Sequence, residues 1–184
     1  RPYAVVTLHR PSNVDDPVML GRIMAVLDEI GREMPVVFPV HPRTQARLNG
    51  VRSLKLAFLE NEPGVVAENA NFKDLTPGVL PIDPLGYLDF LKLMAHARIV
   101  LTDSGGIQEE TTILETPCLT LRDNTERPIT VEMGTNRLVG SDPQAIMAAY
   151  KEAMMAERTN GRTPPLWDGR AAQRIAAVIC GGVR

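Results

Sequence analysis

The chain has 184 residues, of which 44% are hydrophobic and 23% charged, with a formal net charge of −2 at pH 7. This length and composition indicate one globular domain with a sizeable core, and they exclude a disordered or fibrous protein. The slight negative charge argues against a broad nucleic-acid or membrane surface, and no apolar run approaches the ~20 residues of a spanning helix. We therefore expect a cytoplasmic protein that binds neither nucleic acid nor membrane.

Strand-like and helix-like segments alternate from the start of the chain. A β-branched run predicts a buried strand at 3–8, and an apolar 3.6-residue period after Asp16-Pro17 predicts an amphipathic helix over 17–33. The other elements predicted in the first half are a strand at 35–40, a helix from Pro42 to about Leu48, and strands at 54–59 and 78–82. Residues 60–77 show no clean period and are interpreted as an irregular excursion of unassigned role.

The alternation continues to the C-terminus. A helical region is predicted to start at Asp83-Pro84, and Asp142-Pro143 is predicted to cap a later helix. The remaining predictions are strands at 99–102, 117–121 and 136–139, helices at 104–115 and 169–179, and a polar, turn-rich segment at 158–165. Strands alternating with helices imply a mostly parallel sheet covered on both faces. We therefore expect residues 1–184 to form a single three-layer α/β, Rossmann-like domain.

Cysteine and histidine usage indicates a reducing compartment and no metal site. Cys118 and Cys180 are far apart in apolar sequence and are interpreted as reduced core thiols rather than a disulfide pair. The three histidines lack the spacing of metal ligands, and His96, near a predicted helix end, is interpreted as structural.

The most informative segment is 101–111, which reads LTDSGGIQEET. An apolar strand ends there in Ser104-Gly105-Gly106, and a predicted helix follows directly. Helix N-termini bind phosphate through unpaired backbone N–H groups, and two glycines allow close approach. Glu110, one turn further along the helix, suits a ribose diol, so the segment predicts a nucleotide diphosphate site. The alternative to a phosphate site is that the glycines only allow tight packing and that Asp103 and Ser104 are ordinary helix caps.

Polar groups also follow several other predicted strands. His9-Arg10 follows the first, His41-Pro-Arg43 the second, and the segment 122–127 follows the strand after the glycine turn. Because ligands of parallel sheets bind beyond the carboxyl ends of the strands, these groups predict one anion-binding crevice.

Six segments of the chain resemble the non-hydrolysing UDP-N-acetylglucosamine 2-epimerases. They are Val6-Thr-Leu-His-Arg10, Phe38-Pro-Val-His-Pro-Arg-Thr44, Asp83-Pro-Leu-Gly-Tyr-Leu-Asp-Phe90, Leu101-Thr-Asp-Ser-Gly-Gly-Ile-Gln-Glu-Glu110, Leu121-Arg-Asp-Asn-Thr-Glu-Arg-Pro128 and Gly134-Thr-Asn-Arg-Leu-Val-Gly140. The resemblance runs in order from about residue 3 to 146. It implies one half of a B-type glycosyltransferase (GT-B-like) fold, namely the C-terminal, nucleotide-binding half, with the active site in the cleft toward an N-terminal half that this chain lacks.

The resemblance also implies a reaction. Members interconvert UDP-GlcNAc and UDP-ManNAc by eliminating UDP across C1–C2 and adding it back, and they need neither metal nor nicotinamide cofactor. The family's acid/base carboxylates lie in the N-terminal half, so we expect the isolated chain to be inactive and the full-length protein to be a homodimer. The abrupt start at Arg1 favours a fragment cut at a domain boundary.

Site residues follow from the resemblance position by position. His9 is the expected catalytic residue, close to the phosphates. The expected substrate-binding residues are Arg10, His41, Phe90 near the uracil, Ser104, Gly105 and Gly106 at the diphosphate, Glu110 at the ribose, and Arg127 in the cleft. Many members carry a glutamate where this chain reads Pro11-Ser12-Asn13, so no assisting carboxylate is expected there. Asp15, Asp16, Asp83 and Asp103 are interpreted as caps and turn formers.

Two other functions fit parts of the sequence. A glycosyltransferase donor-binding half would use the same ribose carboxylate, although the segments around Thr125 and Gly134 favour the epimerase. A solitary nucleotide-sugar-binding module is the third hypothesis, and it would gain support if the native gene began at or near Arg1.

Overall fold

The computed structural model of the chain describes residues 1–48, 78–156 and 162–181. The predicted strand at 54–59, the 60–77 excursion and residues 158–161 lie outside the described residues. The described elements, in chain order, are β1 (Ala4–Thr7), α1 (Pro11–Val14), α2 (Pro17–Glu33), β2 (Val36–Pro39), α3 (Pro42–Leu48), β3 (Val79–Ile82), α4 (Tyr87–His96), β4 (Ile99–Thr102), α5 (Gly105–Ile113), β5 (Cys118–Thr120), α6 (Pro128–Glu132), β6 (Asn136–Leu138), α7 (Pro143–Met155) and α8 (Ala171–Gly181).

The six described strands form one sheet in the order β3-β2-β1-β4-β5-β6, and all neighbours are parallel. In the centre, Val5 of β1 pairs with Val37 on one side and with Val100 on the other. Strands β1, β2 and β4 carry almost only apolar residues because a parallel sheet is buried on both faces. The order reverses at β1, so β1 and β4 flank the switch point, where ligands of such sheets bind.

Two apolar clusters cover the two faces of the sheet. The larger contains inward-facing residues of α2 and α7 and includes the fully buried Phe38 and Tyr150. The smaller is built around α4 and includes Leu93 and Met94. The prediction of a three-layer, Rossmann-like α/β fold with a mostly parallel sheet is therefore confirmed.

Two helix starts, at Asp16 and Asp142, were predicted correctly from the local sequence. The Asp16 carboxylate caps α2 by accepting a hydrogen bond from the Val18 amide at 2.9 Å, and Asp142 caps α7 in the same way with the Ala145 amide at 2.9 Å. The helix predicted to start at Asp83-Pro84 begins only at Tyr87, with Gly86 as its N-cap. The short helices α1 and α6 were not predicted.

The C-terminal helix differs most from expectation. α8 buries none of its residues, and Ile179 on it is 74% exposed. The interpretation of both cysteines as core thiols is therefore wrong for Cys180, which is exposed, and confirmed for Cys118, which is buried in β5. Helical periodicity identifies an apolar face but does not say whether another element covers it. None of the helices in the described ranges is both long enough and apolar enough to cross a membrane.

Candidate functional site

The polar groups predicted to converge do follow four neighbouring strands. His41 follows β2, His9 and Arg10 follow β1, Asp103 and Ser104 follow β4, and the segment 122–127 follows β5. The strands lie side by side in the order β2-β1-β4-β5, so their carboxyl ends share one edge of the sheet. The contacts below show which of these residues meet.

Asp103 organises the centre of this edge. Its side chain is fully buried and accepts hydrogen bonds from the amides of His9, at 3.1 and 3.2 Å, and Arg10, at 3.0 Å. It also accepts from Asn13 Nδ2 at 3.2 Å, and its Oδ1 lies 3.1 Å from His9 Nδ1. The interpretation of Asp103 as a local cap or turn former is therefore wrong. The carboxylate joins the end of β4 to the end of β1, across about 90 residues of sequence that no local signal spans.

Asp103 keeps its charge despite burial. Burial alone would raise its pKa, but the hydrogen bonds from the His9 side chain and the Arg10 amide outweigh that effect and hold the pKa below its usual value. The site thus contains a fixed negative charge directly behind His9.

His9 and His41 are neighbours across β1 and β2. Their ring centroids are 5.6 Å apart, with the planes tilted by 41°. His9 Nδ1 faces Asp103, and His41 Nδ1 accepts a hydrogen bond from the Arg43 amide at 3.2 Å. The predicted proximity of these two strand ends is therefore present as a direct contact between rings.

The turn before α5 leaves its backbone open. Ser104 is the N-cap residue, but its side chain makes no capping hydrogen bond, and its amide donates to Thr102 Oγ1 at 3.0 Å. A Cβ added to Gly106 would meet no heavy atom within 4 Å, and one on Gly105 would meet only Glu126 Oε2, at 3.8 Å. Neither glycine has a positive φ. Packing and backbone conformation therefore do not require glycine here, which weakens the tight-packing interpretation.

A carboxylate lies beside this turn, held by two arginines. Glu126 forms two hydrogen bonds of 2.8 Å with the Arg122 guanidinium and lies 3.5 Å from Arg10 Nη2. The Arg122 contact lowers the pKa of Glu126 to about 2. The Arg10 guanidinium also donates to the Asp103 carbonyl at 3.2 Å. Two cations and the start of α5 therefore surround one acidic side chain.

Glu110 lines a cleft bordered by α4, α5 and the segment 166–171. Burial raises its pKa, while a hydrogen bond with Tyr87 opposes that shift. The cleft has a volume of about 480 Å³, and its walls include Tyr87, Glu109, Leu166 and Trp167. The last two residues were not identified from the sequence because nothing local links the 162–170 segment to α5.

Phe90 and Arg127, which were also predicted to bind the substrate, contact other residues of the chain. Phe90 is partly buried and packs against the smaller apolar cluster, which includes Leu93 and Met94. Arg127 pairs with Glu109 at 2.8 Å, and not with the glycine turn. Their predicted roles at the uracil and in the cleft remain predictions.

A buried polar network lies beneath the site. Gln108 is fully buried; its Nε2 donates to the Ser104 carbonyl at 3.2 Å, and its Oε1 accepts from Thr125 Oγ1 at 2.6 Å and Asn136 Nδ2 at 3.1 Å. Within the described residues, no group of three or more His, Cys, Asp or Glu side chains could hold a metal ion.

Comparison with known proteins identifies the family. A family model described as UDP-N-acetylglucosamine 2-epimerase matches residues 1–180. The UDP-N-acetylglucosamine 2-epimerase of Methanocaldococcus jannaschii is 38% identical over 182 residues, covering 98% of this chain and 45% of the relative. A crystal structure of that organism's enzyme in complex with UDP-GlcNAc and UDP matches with a TM-score of 0.77 and 37% identity, covering 98% of this chain and 46% of that chain. This chain belongs to the UDP-N-acetylglucosamine 2-epimerase family.

Two further matches define how far the likeness extends. The UDP-2,3-diacetamido-2,3-dideoxy-D-glucuronate 2-epimerase of Pseudomonas aeruginosa is 37% identical over 179 residues, 96% of this chain and 44% of the relative. A glycosyltransferase structure at 16% identity and a TM-score of 0.52, covering 86% of this chain and 36% of that chain, shares the fold alone. The chain spans under half the length of the curated relatives it matches.

Proposed function

We propose that residues 1–184 form the UDP-binding, C-terminal half of a UDP-GlcNAc 2-epimerase, a two-domain homodimer that interconverts UDP-GlcNAc and UDP-ManNAc. The observation that carries this proposal is the open start of α5: Gly105 and Gly106 have no packing reason to be glycine, and arginines lie alongside. The family supports the same site, because the matching M. jannaschii crystal structure is a complex with UDP-GlcNAc and UDP.

The diphosphate would bind at Ser104, Gly105 and Gly106. Unpaired N–H groups and the positive end of the α5 dipole favour an anion there. Glu126 lies beside this turn, 3.5 Å from Arg10. An incoming diphosphate would share or replace Glu126 as the partner of Arg10, which suits a cation that releases and recaptures UDP.

The nucleoside would extend from the turn toward Glu110, one helical turn further on. Its carboxylate borders a cleft with aromatic walls, to which Tyr87 and Trp167 contribute. A carboxylate is the natural acceptor for the two hydroxyls of a ribose. Phe90, in the turn-proximal part of α4, is the proposed neighbour of the uracil.

The proposed chemistry divides between the two halves of the enzyme. The C2 proton leaves to a carboxylate of the N-terminal half, the C2–H electrons form the C1–C2 double bond, and UDP departs with the electrons of the C1–oxygen bond. UDP then adds back to C1 while a proton is delivered to the opposite face of C2, which inverts that carbon. This chain would hold the departing UDP with Arg10, His41 and the α5 amides, and would bring His9 to the sugar. Without the other half of the cleft the isolated chain would bind UDP weakly, and without that half's carboxylates it would catalyse nothing.

Calorimetric titration of the chain tests the binding site. Glu110→Ala should weaken UDP binding about tenfold or more, equivalent to about 1.4 kcal/mol or more, while leaving inorganic pyrophosphate binding unchanged. Glu29→Ala, an exposed acid on α2, is the matched control. No UDP binding by the wild type, or equal UDP binding by wild type and Glu110→Ala, would contradict the proposal.

The full-length enzyme tests the reaction. An epimerase must introduce solvent deuterium at C2 of the sugar, whereas a glycosyltransferase must not. The identity with the P. aeruginosa enzyme favours a second candidate substrate, a UDP-linked diacetamido glucuronate, for the same reaction. Parallel deuterium-exchange assays with the two UDP-sugars would show which of them is the substrate.

A further inference from the structure

Glu126 places a carboxylate at the edge of the turn where the diphosphate is proposed to bind. Its Oε2 would lie 3.8 Å from a Cβ added to Gly105, the first residue of α5. The start of a helix favours any negative charge, because its N–H groups are unpaired and its dipole is positive there. The chain therefore supplies an anion of its own beside the proposed binding place of the ligand's phosphates.

Two arginines hold this carboxylate unequally. Arg122 donates a hydrogen bond of 2.8 Å to each oxygen of Glu126 and a further one to Asn124 Oδ1 at 3.1 Å. The Arg122 side chain is only 9% exposed, so its position is fixed by the surrounding residues. Arg10 Nη2 lies further away, 3.5 Å from Glu126 Oε1. Arg122 is therefore the anchor of Glu126, and the contact with Arg10 is the one that a ligand can replace.

Arg10 keeps its place without Glu126. Its Nε donates to the Asp103 carbonyl at 3.2 Å, and its amide donates to the Asp103 carboxylate at 3.0 Å. These two contacts hold the guanidinium at the end of β1, while its Nη2 points toward Glu126 and the start of α5. A change of partner at Nη2 therefore does not require Arg10 to leave the site.

The negative charge of Glu126 is permanent at neutral pH. The hydrogen bonds from Arg122 lower the pKa of the Glu126 carboxyl to about 2. An anion that approaches Arg10 therefore meets a cation whose charge is already partly balanced. The Glu126 side chain is 54% exposed, so water and salt screen the repulsion and keep the effect modest.

We propose that Glu126 is a built-in counter-anion that competes with the diphosphate for Arg10 and so lowers the affinity of the site for UDP. When the diphosphate binds, Glu126 stays on Arg122 and Arg10 changes partner. Glu126 thus sets affinity without being a ligand of the substrate. This competition rests on the proposed function, because it requires a diphosphate at Ser104, Gly105 and Gly106.

Calorimetric titration of the chain with inorganic pyrophosphate tests the competition. Glu126→Gln keeps the side-chain shape and an oxygen for Arg122 but removes the charge. At low salt it should bind pyrophosphate about threefold or more tightly than the wild type, and the gain should shrink at high salt. Glu132→Gln, an exposed acid at the end of α6, changes the net charge equally and should leave the affinity nearly unchanged.

A second background tests whether Arg10 is the contested cation. Arg10→Gln should weaken pyrophosphate binding, and adding Glu126→Gln to it should give little further gain, because the cation for which Glu126 competes is gone. A gain as large as in the wild-type background overturns the competition for Arg10. If binding to Arg10→Gln is too weak to measure, the comparison of wild type with Glu126→Gln still decides whether Glu126 lowers affinity.

Each result of the titration has a distinct meaning. Equal or weaker pyrophosphate binding by Glu126→Gln overturns the counter-anion role and leaves the diphosphate site in place. Reduced stability in urea with unchanged affinity also overturns it, because Glu126 would then only neutralise Arg122. No pyrophosphate binding by any of the proteins contradicts the proposed function, and the competition together with it.

Discussion

Gln108 donates a hydrogen bond from Nε2 to the carbonyl oxygen of Ser104 at 3.2 Å, within the first turn of α5. The same side chain accepts from Thr125 through Oε1, at 2.6 Å. It thereby connects the turn at Ser104, where the diphosphate is proposed to bind, to the 122–127 segment. That segment contains Arg122, Glu126 and Arg127. Because Gln108 is fully buried, it acts by positioning these two segments and not by touching a ligand.

Replacing Gln108 should affect stability and binding together. Gln108→Met keeps the volume but removes the acceptor of the half-buried Thr125 hydroxyl and one of the two acceptors of the buried Asn136 amide. An orphaned buried group costs about 1–3 kcal/mol. We expect a lower free energy of unfolding in urea and at least tenfold weaker UDP binding by calorimetry.

Thr112→Val is the matched control for Gln108. The Thr112 hydroxyl is buried on the same helix and donates to the Gln108 carbonyl at 2.8 Å, away from the glycine turn. The Thr112→Val variant should lower the free energy of unfolding and leave UDP affinity unchanged. Loss of stability without loss of affinity in Gln108→Met would show that the network is structural only.

Alanine at Gly106 should weaken pyrophosphate binding without lowering the stability of the fold. An added Cβ at Gly106 meets nothing within 4 Å, and alanine favours a helix over glycine by up to about 1 kcal/mol. We expect Gly106→Ala to unfold at the same or a higher temperature than wild type. Pyrophosphate should bind more weakly, because the methyl group stands where a phosphate oxygen approaches the backbone.

Gly134→Ala provides the contrast. Its Cβ would clash with the Thr112 side chain and lie 2.5 Å from the Thr130 carbonyl oxygen, so the variant should lose stability. Thermal unfolding and calorimetry of both variants check the two effects. Unchanged pyrophosphate affinity in Gly106→Ala would argue against phosphate contact at this turn.

Asp103 should make stability fall in acid. Its pKa is lower in the folded chain than its ordinary value of 3.8, so the unfolded chain binds a proton more readily. The resulting stabilisation is complete above that ordinary value and is lost as pH falls through the folded pKa. In urea unfolding, the stability difference between wild type and Asp103→Asn should therefore narrow below about pH 4. A difference that stays constant with pH would contradict a charged, hydrogen-bonded Asp103.

The two thiols should react at very different rates. Cys180 is exposed on α8, whereas Cys118 is buried and burial raises its pKa to about 11. A disulfide reagent should modify one thiol quickly in the native chain and the second only in denaturant. Cys180→Ser should remove the fast reaction. Two fast thiols in the native protein would contradict the buried position of β5.

Short-range signals predicted much of the fold but only part of the site. The helix starts at Asp16 and Asp142 depend on a cap and a following proline, which are adjacent in sequence. The late start of α4 at Tyr87 was missed, because the preceding residue, Gly86, has an extended backbone and acts as the N-cap. The burial of Asp103 was also missed, because its partners are supplied by a different strand end.

The amino-acid sequence by itself determined the parallel α/β architecture and the family, because both depend on periodicity and on contiguous motifs such as the one from Leu101 to Glu110. Only the tertiary structure decided that Asp103 lies behind His9, that Glu126 stands beside Gly105, and that α8 leaves Cys180 exposed. Those relationships join residues far apart in sequence, and the packing of the parallel strands, not any local preference, brings them together.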